Sequence, residues 1–283
     1  MLDKIKSKYI IKEIFNNIKN KRKLKIIKYN KRLYNKLDLR KKDFKIYKIL
    51  QEFNKKYNIN IEDIDIKELN INNCSINNEG LKYLKRIEFK ELNKLNLSQN
   101  KILNINIFEK LDLKKLKELY LSQNKLSDIN ALQNINFKEL NLLDLSNNKI
   151  SDIDVLDKVN FEELKELNLC KNKISDIKVL EKVNFRKLKI LNLSFNEISE
   201  INILDKVNFR KLEILNLSNS KISDIKVLEK VNFKELKELD LSCNKISDIN
   251  ILEKVNFKEL KELDLSHNKI SDIHILEKVN FKE

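Results

Sequence analysis

Residues Leu164–Lys187 read LKELNLCKNKISDIKVLEKVNFRK, and Leu188–Lys211, the next 24, read LKILNLSFNEISEINILDKVNFRK. Units of the same length begin at Leu92, Leu116, Leu140, Leu212, Leu236 and Leu260, and a more divergent one begins near Ile66, 26 residues before Leu92. Each unit has the form LxxLxLxxNxI followed by SDIxxLxxVxF. In the first half, leucines alternate with polar residues, as at Leu167 and Leu169, which predicts a short strand with one buried face. An asparagine then turns the chain. In the second half Ile177, Leu180 and Val183 recur at steps of three, predicting a short helical turn opened by Ser175 or Asp176.

One such unit cannot bury its leucines alone. Stacked units cover each other, so the core extends along one axis and the strands form a parallel sheet about 4.8 Å apart. The bulkier helical side splays outward, and the array curves with its strands on the concave face. The expected fold is an α/β solenoid over residues 61–283, about nine units long, preceded by a helical N-terminal cap over residues 1–60.

The phased LxxLxLxxNxI copies resemble the leucine-rich repeat, over roughly three quarters of the chain. The ISDI-xx-L continuation is similar to the subclass found in bacterial internalins and in phosphatase-regulating repeat proteins. Repeats of that subclass mostly run to about 22 residues, so the longer unit here is expected to lengthen the convex turn. The resemblance implies a curved scaffold that binds other proteins. It also implies, as an alternative, a regulatory or targeting subunit of a Ser/Thr phosphatase or ubiquitin ligase.

Charge is distributed unevenly. Residues 1–60 hold 20 Lys+Arg and 5 Asp+Glu, whereas residues 61–283 hold 38 of each, so the whole excess of +15 sits before the repeats. Lysine, isoleucine and asparagine share AT-rich codons, so the lysine count alone says little; its placement says more. Ile11, Ile14, Phe15 and Ile18 fall at helical spacing, as do Phe44, Tyr47, Leu50 and Phe53, and Leu24, Ile27, Leu33, Tyr34 and Leu37 suggest a helix between them. A helix is needed to cover the open first edge of the solenoid core. The runs KNKRKLK at Lys19–Lys25 and RKK at Arg40–Lys42 offer weak contacts to an anionic partner, lipid or nucleic acid. The stretch IIKEIFNNI also bears a faint resemblance to the start of an F-box, without its early proline and later tryptophan.

The opening MLDKIKSKYIIKEIF breaks its apolar residues with charge, and no run of about 18 apolar residues occurs anywhere, so neither a secretory leader nor a membrane span is expected. Cys74, Cys170 and Cys243 are odd in number and far apart, which points to a reducing compartment, the cytoplasm or alternatively the nucleus. The Asn-x-Ser triplets follow from the repeat itself. The sequence halts at Phe281-Lys282-Glu283 in mid-rhythm, so Leu263, Leu265 and Ile270 are expected to face an open end, covered by a further segment or another subunit.

Repeated residues explain the scaffold. The asparagine column from Asn100 to Asn268 is expected to bond backbone groups of its own and the neighbouring unit, with Cys74 and Ser220 replacing it in two units. Phe89, Phe137, Phe161, Phe185, Phe209, Phe233, Phe257 and Phe281 form a stacked core column. Recognition must therefore come from outward strand positions. Tyr120, Leu142, Ile190, Phe195 and Ile214 place apolar side chains where solvent-facing residues belong, and Glu238, Asp240, Glu262 and Asp264 form an acidic cluster. Apolar groups within a polar rim resemble a binding hot spot. No catalytic site, cofactor, metal or small-molecule substrate is expected. His267 and His274 do not converge, no CxxC or HExxH spacing exists, and the single glycine, Gly80, cannot form a phosphate loop.

Overall fold

A computed structural model describes residues 41–255 and 257–277. A helix α1 (Lys41–Tyr57) leads into nine three-residue strands: β1 (Glu68–Asn70), β2 (Lys94–Asn96), β3 (Glu118–Tyr120), β4 (Leu142–Asp144), β5 (Glu166–Asn168), β6 (Ile190–Asn192), β7 (Ile214–Asn216), β8 (Glu238–Asp240) and β9 (Glu262–Asp264). A helix α2 (Asn78–Ile87) follows β1, and a 3-10 turn follows each later strand. The strands form one open parallel sheet in sequence order. Like pairs with like along it: Leu167 with Leu191, then Leu191 with Leu215. The predicted solenoid is therefore present, and its convex turns are 3-10, as at Lys178–Glu181, whose Lys178 amide donates to Asp176 at 2.8 Å.

Each strand sends only its middle leucine inward, and the leucines of the internal units are completely buried. The asparagine column holds neighbouring units together. Asn124 donates from Nδ2 to the carbonyls of Leu121 and Ser122 in its own unit and of Leu97 in the preceding one. Its Oδ1 accepts the Ile102 amide at 3.0 Å. Cys74 keeps part of this pattern, with Sγ 3.2 Å from the Asn72 carbonyl. Ser220 does not, because its buried hydroxyl has no partner. On the far side of the core, Phe137, Phe161, Phe185 and Phe209 form a column with centroids 6.0, 6.0 and 6.5 Å apart, the last pair stacked and the others tilted.

At the N-terminal edge, Ile46, Ile49, Leu50 and Phe53 of α1 join the repeat core. Phe53 stacks on Tyr83 of α2 at 5.3 Å. This contact explains Gly80, because a Cβ there would lie 2.6 Å from Ile76 Cγ2 and 2.8 Å from Tyr57 Oη. The glycine lets the cap helix approach α2. The helices read before residue 41, the run Lys19–Lys25 and Phe281 lie outside the described residues. At the other end Leu263, Leu265 and Ile270 are half-buried, whereas Leu239, Leu241 and Ile246 are sealed.

Candidate functional site

The two outward positions of every strand line up across the sheet in two columns. The first runs Glu68, Lys94, Glu118, Leu142, Glu166, Ile190, Ile214, Glu238, Glu262, and the second Asn70, Asn96, Tyr120, Asp144, Asn168, Asn192, Asn216, Asp240, Asp264. Eight of the nine site residues read from the sequence stand in these columns. Phe195 lies beyond the end of β6.

The second column is less free than its outward position suggests. Its Asn and Asp side chains accept the amide two residues on: Asn168 from Cys170, Asn192 from Ser194, Asp240 from Ser242 and Asp264 from Ser266, at 2.8–3.0 Å. These Asx bonds steer the chain out of the strand. Asp240 also accepts the Asn216 amide at 2.9 Å, so both its oxygens are engaged. Asp240 and Asp264 thus have a structural task besides any contact with a partner, whereas the carboxylates of Glu238 and Glu262 project from the sheet.

Tyr120 is the exception in that column. Its hydroxyl donates to Glu118 at 2.9 Å, Lys94 Nζ lies 2.6 Å from the same carboxylate, and the ammonium sits 5.1 Å from the Tyr120 ring centroid. The lysine, more than any other group, holds Glu118 below the usual carboxylate range. Burial, and then the Glu118 hydrogen bond, raises the Tyr120 phenol. Two strands further on, Glu166 is raised by burial and by the nearby charges of Asp144 and Glu118.

Ile190 and Ile214 are direct partners on β6 and β7, both half-buried. Leu142 stands apart, separated from them by Glu166 on β5. Phe195 is 51% exposed. It lies three residues beyond the end of β6, outside the two columns. Its backbone has φ 53°. Every repeat is left-handed at this position, which elsewhere holds Asn73, Gln99, Gln123, Asn147, Lys171, Asn219, Cys243 and His267. Asparagine tolerates that conformation and a bulky aromatic does not. Phe195 therefore combines backbone strain with an exposed ring.

Two further features fall in the same repeats: Ser220, read from the sequence as a break in the asparagine column, and Glu213, which the sequence reading missed. Glu213 stands in a position that is lysine in six other units, and its carboxylate is clamped between Lys189 and Lys237, the latter at 2.6 Å. The two ammonium groups bring its pKa down to about 2. Behind the sheet, Ser220 removes the ladder amide that would receive the Ile198 N–H, as Asn196 receives Ile174 and Asn244 receives Ile222. Both were legible as breaks in the period. Ile190, Phe195, Glu213, Ile214 and Ser220 all fall in the repeats beginning at Leu188 and Leu212.

Among the described residues, no group of three or more His, Cys, Asp or Glu side chains is placed to hold a metal, and no helix is long and apolar enough to cross a membrane. Cys170 accepts the Ser194 hydroxyl at 3.1 Å.

Comparison with known proteins gives a consistent result. A family model described as Leucine Rich repeats (2 copies) matches residues 114–158, 210–254 and 234–278, and one described as Leucine Rich repeat matches residues 64–85 and 186–200. A search of curated proteins found no match. Among solved structures, internalin C2 of Listeria monocytogenes is similar, with 26% identity and a TM-score of 0.56 over 70% of this chain and 80% of its own. The plant peptide hormone receptor RGFR1 in complex with RGF2 is similar over 65% of this chain and 30% of its own, with 29% identity and a TM-score of 0.50. The ectodomain of the receptor kinase GASSHO1/SCHENGEN3 of Arabidopsis thaliana has 19% identity and a TM-score of 0.50, over 70% of this chain and 27% of its own, a likeness of fold alone.

Proposed function

Because this chain is a leucine-rich repeat protein, we propose that it is a non-catalytic interaction scaffold whose partner protein docks on the concave face, centred on the repeats that begin at Leu188 and Leu212. The observation that carries this reading is Phe195, an exposed ring held in left-handed backbone where three other repeats place asparagine and none places another aromatic hydrocarbon ring. Neither folding nor solubility favours a phenylalanine there. With Ile190 and Ile214 it presents apolar contacts at the middle and margin of the same two repeats, while the rigid sheet behind them loses little entropy on docking. The likeness to a peptide hormone receptor solved with its ligand supports a polypeptide as the partner. Control of a phosphatase or ubiquitin ligase is one use for such a surface, and co-purification with that activity would identify it.

The test is to change Ile190→Ser and Phe195→Ser together. The double variant should keep the far-ultraviolet circular dichroism of the parent and lose the partner captured by the full chain. Retention of that partner with unchanged affinity would remove this face as its binding site.

A further inference from the structure

The concave face gathers carboxylates with few cations among them. On the flanks, several acids meet lysines from the adjoining repeat: Glu91 with Lys115, Glu163 with Lys187, Glu197 with Lys221. The two outward strand columns hold eight carboxylates against one lysine, Lys94. Among the described residues only Glu118 of those eight has a lysine, arginine or histidine within 4 Å. Residues 61–283 are neutral as a whole, so the repeats have segregated negative charge onto one face. Stacked like charges on neighbouring strands destabilise a sheet. Glu238 stands opposite Glu262, and Asp240 opposite Asp264.

The acids also stand in a definite relation to the apolar pair. Glu166 precedes Ile190 by one strand, and Glu238 follows Ile214 by one. With strands about 4.8 Å apart, Glu166 and Glu238 are about 14 Å from each other. Four residues of extended peptide cover that distance at about 3.3 Å each.

We propose that the concave face takes a lysine- or arginine-rich peptide segment of a partner protein, running across the strands with aliphatic side chains seated on Ile190 and Ile214 and cations on the acids to either side. This rests on the scaffold reading above and adds the chemistry of the partner. Charge complementarity speeds the encounter and fixes register, and the apolar centre supplies contacts that salt does not screen. An anionic occupant such as a nucleic acid is repelled from this face.

The probe is a short fluorescein-labelled peptide with an Ile-Ser-Ile centre flanked by runs of lysine, titrated with the full chain and followed by anisotropy. It should bind, and more weakly as salt rises. Glu238→Lys with Glu262→Lys should lower affinity at least about tenfold. Replacing the isoleucines of the probe by serine should lower it about fivefold. Lys125→Glu with Lys149→Glu, off the strands, should leave it within about twofold. Equal binding of a probe with glutamate runs, or indifference to the charge reversal, would overturn the proposal. A full chain that self-associates in sedimentation, and ceases to when Glu238 and Glu262 are reversed, would also overturn it, placing the basic segment of a second copy on the face. If the captured partner is lost in Ile190→Ser/Phe195→Ser but kept in Glu238→Lys/Glu262→Lys, the scaffold reading stands and the basic segment does not. If both variants keep it, the scaffold reading fails first.

Discussion

The repeats from Leu116 to Lys187 and the two that follow them share a length, a backbone and a core, yet differ where the period is broken. In the first group the ladder asparagines Asn124, Asn148 and Asn172 are all present, and the left-handed position holds Gln123, Asn147 and Lys171. In the second group Ser220 leaves a gap in the ladder and Phe195 occupies the left-handed position. In an array whose units contact only their neighbours, each repeat is judged against an internal standard. The regular repeats show what stacking requires. A residue that departs from them at a cost to stability marks a position where something other than stacking is served.

The comparison breaks most visibly if the ladder is cut in its regular part. Asn124→Ala deletes four bonds and leaves the Ile102 amide and neighbouring carbonyls without their partner. Chemical denaturation should show a loss of about 3 kcal/mol. The reverse change sharpens the contrast. Ser220→Asn restores the period and should raise stability by about 1–2 kcal/mol. Hydrogen exchange at the Ile198 amide should then slow towards that of Ile174 and Ile222. No slowing would mean that the gap is already bridged.

Phe195→Asn separates folding from recognition by sign. Asparagine suits the left-handed backbone, as it does at Asn147 and Asn219, so stability should rise by about 1 kcal/mol while partner binding weakens. A variant that loses stability would place Phe195 among the packing residues instead.

The scaffold was legible in advance because its residues recur with a fixed step, and period fixes which side chains face inward. Nine strands, their register and the asparagine ladder follow from that step. The site was legible only as a list of departures, because spacing along one strand says nothing of distance across it. Hence Ile190 and Ile214, 24 residues apart in sequence, are direct partners on adjacent strands. The Asx bonds of Asp240 and Asp264 were hidden for a related reason. An outward side chain two residues before an amide can turn back onto it, and alternation alone does not reveal this. Gly80 was read only as too little for a phosphate loop, although its lack of a Cβ is what admits Tyr57.

The smallest expected effect concerns the Glu213 clamp, which the regular repeats lack. There the equivalent positions are Lys117, Asn141 and Lys165, none of which carries a carboxylate. With Lys189 and Lys237 beside it, Glu213 has a folded pKa of about 2 against an ordinary 4.5. A carboxylate with a depressed folded pKa contributes stability that is complete above its unfolded pKa and is lost as protons bind the unfolded chain more readily than the folded one. The contribution therefore holds above about pH 4.5, declines as pH falls from there, and is gone below about 2. Glu213→Gln removes it at every pH. The thermal midpoints of parent and variant should differ modestly at pH 7 and converge on acidification through that window, because both then carry a neutral group between two lysines. Midpoints that stay equally far apart from pH 7 to pH 2 would show that the clamp works through packing of the side chain and not through its charge.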